Sequence, residues 1–115
     1  MDDDADTREV LAYALRAAGV KVTAVGSASD ALAALTPESS ALVVSDLSMP
    51  GEDGYALVRQ LREHDGGRRR PAIALTAHAR ADDRRRALAA GFDAYLVKPV
   101  DAKDLVALMA RLLYT

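Results

Sequence analysis

The chain has 115 residues, with 15 Lys and Arg against 17 Asp and Glu, and half of its residues are hydrophobic. That is enough to bury one core and leaves no room for a second catalytic or DNA-binding domain, and it excludes a mostly disordered chain. The absence of cysteine excludes disulfides and thiolate metal sites, a net charge of −2 argues against nonspecific nucleic-acid binding, and no apolar run reaches the length of a membrane span.

The first residues, Met1-Asp2-Asp3-Asp4, lack the basic start and apolar middle of an export signal, so the cytoplasm is the expected compartment. Val10, Leu11, Ala14, Leu15 and Ala18 then recur at helical spacing, with Asp6 or Thr7 as the cap and Gly19 as the terminator. Val20, Val22 and Val25 form a β-rich stretch closed by Gly26. A short helix follows, capped at Ser27 or Ser29, running through Leu35 and ended by Pro37.

Ala41-Leu42-Val43-Val44-Ser45-Asp46 is short, apolar and β-branched, which predicts a strand buried on both faces with Asp46 at its carboxyl end. Met49 to Gly54 carries turn chemistry, and Tyr55, Leu57, Val58, Leu61 and Arg62 continue as a helical stripe up to Gly66-Gly67. Pro71 to Thr76 predicts another buried strand, followed by a helix over Ala81 to Ala90 that Gly91 ends. Ala94 to Lys98 is the last strand, and Asp101 caps a final helix carrying Leu105, Val106, Leu108, Met109 and Leu112. The runs Arg68-Arg69-Arg70 and Arg84-Arg85-Arg86 read as solvated charge, the first after a glycine turn and the second beside Asp82 and Asp83 on a helix.

Regular alternation of strands and helices predicts an α/β domain with a doubly wound parallel sheet, whose site lies at the carboxyl ends of the strands. A strand should precede the first helix, yet only Met1 stands before the aspartates. The sequence is therefore expected to start at the last residue of a first strand, and loss of a central strand to favour aggregation, strand exchange or a dimer.

The strand ends gather Asp2 and Asp3, Asp46, Thr76 and Lys98 on one rim. Three carboxylates there repel one another unless a cation neutralises them, and an oxygen-only site with open positions suits Mg²⁺, or Mn²⁺. A carboxylate can attack phosphorus and hold the phosphoryl group as an acyl phosphate, with the metal and Lys98 neutralising charge and the Thr76 hydroxyl bonding a phosphoryl oxygen.

Asp2-Asp3, the run Asp46-Leu47-Ser48-Met49-Pro50-Gly51-Glu52-Asp53-Gly54, Ala74-Leu75-Thr76-Ala77 and Lys98-Pro99, in this order and spacing, resemble the receiver domains of two-component response regulators. Ala89 to Leu96 is similar to that family's approach to its last strand, so the resemblance spans nearly the whole chain. It implies a flavodoxin-like (βα)5 receiver fold over residues 1–115, of the chemotaxis-regulator kind, lacking most of the first strand. It further implies Asp46 as phosphoacceptor and Asp2 and Asp3 as the acidic pair serving Mg²⁺, with Asp3 the direct ligand and the Ser48 backbone carbonyl completing the protein's share. Thr76 matches the hydroxyl residue that moves toward the phosphoryl group, Lys98 the family's lysine, and Tyr95 the aromatic that swings inward, with a cis bond before Pro99. Ser48 and His78 match positions that tune the phosphoryl lifetime, although a lone loop histidine also reads as merely solvated. A histidine kinase or histidine phosphotransfer domain is the implied donor, and the chain would be a stand-alone regulator or the receiver of a hybrid histidine kinase.

Three other readings stand beside this one. A degenerate receiver would act only as a phosphorylation-independent interaction surface. The Asp-x-Asp spacing of Asp4 and Asp6 is found in haloacid-dehalogenase-like phosphatases, with Asp4 as nucleophile and Asp6 as acid-base residue, but the chain is too short for such a core plus its cap. A nucleic-acid module built on the arginine runs would show steep salt-dependent binding to random duplex.

Overall fold

Two runs of small and β-branched residues fold as the parallel strands β1 (Val43–Asp46) and β2 (Ala72–Thr76), joined by β3 (Ala94–Val97) in the order β1-β2-β3. Among the described residues five helices accompany them: α1 (Ala5–Ala17), α2 (Ala28–Ala34), α3 (Asp53–Asp65), α4 (Ala81–Ala90) and α5 (Ala102–Tyr114). The computed structural model describes residues 5–26, 28–34, 42–47, 53–65, 70–77 and 80–114.

Every residue of β2 is buried, which is why its sequence is an unbroken apolar run rather than an alternating one. Ala72 and Ala74 face one core with Leu57, Val58 and Leu61 of α3, Ala31 of α2 and Ala87 of α4. Ile73 and Leu75 face the other core with Leu15 of α1 and Leu105 of α5. Helices therefore cover both faces, and the sheet is doubly wound as the alternation predicts. The register pairs Asp46 with Leu75 and Thr76 with Val97, so the three strands end together on one rim.

One expected strand differs. Val20 to Val25 carries no strand pairing in the described sheet, although its side chains keep a strand-like alternation, with Val20 and Val22 against the α1/α5 core and Val25 against the other. In the 2-1-3-4-5 order of flavodoxin-like sheets the second strand has only the first as neighbour, and no first strand stands among the described residues. Helix starts also differ from expectation. α1 begins at Ala5, which places Asp6 and Thr7 inside its first turn, and α2 begins at Ala28, which does the same for Ser29. Gly54, read as part of a turn, is the second residue of α3. Asp101 caps α5 as predicted, its Oδ1 accepting the Lys103 amide at 2.8 Å.

At the rim opposite the site, Arg62 of α3 joins three chain segments. Its Nε and Nη2 donate to the Gly91 carbonyl at 3.0 and 2.7 Å, Nη1 donates to the Arg70 carbonyl, and Nη2 also meets Asp93 Oδ2 at 2.9 Å. The same Asp93 oxygen accepts the Ala72 amide at 2.8 Å, so one carboxylate fixes the start of β2 against the loop before β3. Gly91 adopts φ +124, where a side chain is strained, and a Cβ there would lie 3.2 Å from Arg62 Cγ. Asp93→Ala leaves the Ala72 amide without its acceptor and takes from Arg62 its carboxylate partner while its carbonyl bonds remain; it is expected to cost about 2 kcal/mol in urea unfolding with an unchanged denaturant slope.

Candidate functional site

β1 delivers Asp46 to the rim because four residues of parallel pairing with β2 carry the chain to that point, and the Leu47 amide continues the ladder by donating to the Leu75 carbonyl at 2.7 Å. On the far side of β2, the Lys98 amide donates to the Thr76 carbonyl at 2.7 Å, which fixes Lys98 one residue beyond the end of β3. The two backbone bonds point the side chains of strands that do not touch each other into one place. There Lys98 Nζ donates to Asp46 Oδ2 at 2.7 Å, a contact between residues 52 positions apart in sequence.

The Asp46 side chain is 4% exposed and the Lys98 side chain 26%. A carboxylate this buried needs a partner, and the ammonium supplies it while keeping contact with solvent. Thr76 is buried at the end of β2, and Ala77 beside it is exposed, so the rim opens to solvent next to the hydroxyl. The Lys98–Pro99 peptide is cis, as expected. Tyr95 pairs in register with Ala74, two residues before the level of Thr76, and packs partly buried on the side of the sheet that faces α3 and α4.

The start of α3 presses against this rim. A Cβ on Gly54 would lie 2.7 Å from the Asp46 carbonyl oxygen, 2.8 Å from Leu47 Cδ2 and 3.0 Å from Ser45 Oγ, closer than such atoms approach. Gly54 is thus required for space, and its absent side chain lets α3 seat against the end of β1. Tyr55 follows it, buried; burial first, and then the negative charge of Asp83, push its phenol above the ordinary value of 10.0.

Of the expected site residues, the structure brings Asp46, Thr76 and Lys98 together on the rim and places Tyr95 farther down β3. Asp2, Asp3, Ser48 and His78 lie outside the described residues, as does Asp4. Among the described residues no group of three or more His, Cys, Asp or Glu side chains could hold a metal ion. Asp46 is the described member of the expected donor set, and a strand-end carboxylate is a hard oxygen donor of the kind Mg²⁺ takes. Asp6 is an exposed residue within a helix, which does not suit the acid-base role of the phosphatase reading. The second arginine run is exposed, as its sequence implies, and two of its members also meet aromatic rings. Arg85 pairs with Asp82 at the surface, whereas Arg84 and Arg86 lie over the rings of Tyr95 and Tyr55. Sequence reasoning missed the role of Gly54 and both arginine–tyrosine contacts. A glycine two places into a helix was the available signal for the first; the contacts had none.

No helix among the described residues is long and apolar enough to cross a membrane. The model of the response regulator receiver domain family matches residues 1–110. An uncharacterized 14.6 kDa protein from Leptolyngbya boryana is 47% identical over 111 residues, 96% of this chain and 85% of that protein. The transcriptional regulatory protein GltR of Pseudomonas aeruginosa is 38% identical over 98% of this chain, and the DNA-binding transcriptional regulator NtrC of Klebsiella pneumoniae 39% over 96%, but the chain spans only 47% and 23% of their lengths. Among solved structures, a putative response regulator from Chloroflexus aurantiacus superposes with a TM-score of 0.88 at 30% identity, covering 100% of this chain and 94% of the other. The receiver domain of the sensor histidine kinase PA1611 from Pseudomonas aeruginosa, solved with magnesium in its active-site cleft, gives 0.85 at 32% identity, with the same two coverages.

Gly54→Ala is expected to destabilise the fold by about 1–3 kcal/mol, since the end of β1 must move to admit the methyl group; urea unfolding measures this. The raised Tyr55 phenol makes a second test. A group whose folded pKa exceeds its unfolded value contributes fully below the unfolded value and loses that contribution as pH rises through the folded one. Stability should therefore fall as pH climbs past 10.0 toward the higher folded value, and unfolding of Tyr55→Phe compared at each pH should lack that component.

Proposed function

Because the chain belongs to the response regulator receiver family, we propose that Asp46 is its phosphoacceptor, taking a phosphoryl group from a phosphohistidine on a histidine kinase or histidine phosphotransfer domain. The observation that carries the reading is the 2.7 Å contact of Lys98 with a buried Asp46 at the carboxyl ends of parallel strands, with the Thr76 hydroxyl residue on the strand between them.

In the reaction one Asp46 carboxylate oxygen forms the bond to phosphorus as the bond from phosphorus to the donor imidazole nitrogen breaks, and that nitrogen keeps the electron pair. The chain's part is positioning and charge. The Lys98 ammonium stands against the carboxylate and balances the charge the phosphoryl group adds, and the Thr76 hydroxyl donates to a phosphoryl oxygen. Asp2, Asp3, Asp46 and the Ser48 carbonyl would hold Mg²⁺ or Mn²⁺, which when bound supplies further neutralisation of the phosphoryl oxygens. Ser48 and His78 would set how fast water reaches the acyl phosphate. Hydrolysis then returns Asp46, so the domain takes part in its own phosphorylation and dephosphorylation as a signalling module rather than a conventional enzyme.

Phosphorylation can only bias states the domain already samples, so the output is a population shift in which Thr76 moves toward the phosphoryl group and Tyr95 and α4 rearrange. Kinase and regulator relatives, among them a sensor histidine kinase GacS of which this chain spans 12%, place comparable domains within longer signalling proteins.

Intact mass after incubation with acetyl phosphate and Mg²⁺ tests the reading. One phosphoryl group is expected on the natural sequence and none on Asp46→Asn, with labelling of Lys98→Ala slowed by at least about tenfold. Equal labelling of Asp46→Asn, or no labelling of the natural sequence, contradicts it.

A further inference from the structure

Helix α4 buries little. Ala87 is its one buried residue and Ala90 packs partly against the same core, so its apolar contribution is a few methyl groups. Its carboxyl end is closed by Gly91, whose region returns amides to the Ala87 and Leu88 carbonyls, but its amino end has no side-chain cap: Arg80 precedes it in an extended conformation without a capping hydrogen bond. Among the described residues, apolar burial and side-chain capping therefore add little to the amino-terminal half.

Positions 84 and 86 are roughly 200° apart around a helix, so their side chains leave from the two margins of the stripe that carries Ala87 and Ala90. Each reaches a tyrosine on a different neighbour. The Arg84 guanidinium carbon lies 5.4 Å from the ring centroid of Tyr95 in β3, and that of Arg86 lies 4.3 Å from the ring centroid of Tyr55 in α3. Both fall within the range of about 6 Å in which an aromatic face attracts a cation. Arg85, between them, pairs with Asp82 where the side chains are 75% and 87% exposed, a contact that contributes little. The two rings sit on the elements that carry the site. Tyr55 follows Gly54, whose backbone abuts the Asp46 carbonyl, and Tyr95 stands three residues before Lys98.

We propose that Arg84 and Arg86 are positioning residues whose two cation–π contacts clasp α4 to β3 and α3 and thereby restrain the change of shape coupled to phosphorylation of Asp46. A state in which α4 or Tyr95 moves must give up at least one contact, so the clasp lowers the population of the phosphorylation-competent form and slows labelling. The clasping itself stands without the phosphoacceptor reading; its regulatory consequence rests on that reading.

The test compares amide hydrogen exchange across α4 in the unphosphorylated chain with the rate of Asp46 labelling by acetyl phosphate. Arg84→Gln and Arg86→Gln are each expected to speed α4 exchange about threefold, and the double variant about tenfold, with β2 and α5 unchanged. Labelling should quicken by similar factors. Arg84→Lys, Arg86→Lys and Tyr55→Phe keep a cation or a ring and should stay near the natural chain, and Arg85→Gln should be silent. Unchanged α4 exchange in the double variant overturns the clasp; faster exchange with unchanged labelling overturns its regulatory role. A natural chain that takes no label fails the phosphoacceptor reading before any variant is made, and the exchange measurement still decides the clasp.

Discussion

A carboxylate side chain 4% exposed cannot stand alone in a protein, and the contact between Asp46 and Lys98 answers that constraint while joining the ends of two strands that never touch. Everything around it serves to bring these two groups together. β2 lies between their strands, buried along its whole length, and the Leu47 and Lys98 amides extend its ladder on either side to the Leu75 and Thr76 carbonyls. Gly54 lets the first turn of α3 close onto the Asp46 backbone. At the other rim, the Arg62–Asp93 network fixes where β2 starts and hence where Thr76 ends up, one strand length away. A stable sheet and an assembled site are in this sense one requirement.

Much of this could be read in the sequence because it rests on local pattern. Short β-branched runs ending in Asp46 and Thr76 announce buried parallel strands, and parallel strands put their carboxyl ends on one rim. Asp101 as a cap and Gly91 as a terminator likewise follow from chemistry within a few residues. What was misread shows where local pattern fails. Val20, Val22 and Val25 have β propensity, but a strand is made by its neighbour, and the described sheet offers none there. Asp6 and Thr7 are good caps by type, yet α1 starts ahead of them.

The contacts that sequence reasoning did not find join residues far apart without a periodic signature. Arg62 reaches Asp93 across 31 positions, and Arg84 and Arg86 leave a run of like charges for two separate rings. A charge run on a helix is normally a solvated face; here all three arginines are exposed, but the outer two also lie over rings, as the middle one does not. The contrast matters for function, since it leaves α4 held by contacts at its margins rather than by a deep apolar seam, as α3 is by Leu57, Val58 and Leu61. An element held that way can move at small cost, which a signalling module needs and a catalytic scaffold does not.

Asp46 and Lys98 act as one unit, and a double-mutant cycle measures their coupling directly. Urea unfolding of the natural chain, Asp46→Asn, Lys98→Met and the double variant gives the coupling free energy between the two side chains. A coupling of about 2 kcal/mol is expected, with Lys98→Met markedly less costly once Asp46 is already neutral. Additive single effects would contradict it, and would mean that the buried carboxylate is balanced by something other than Lys98.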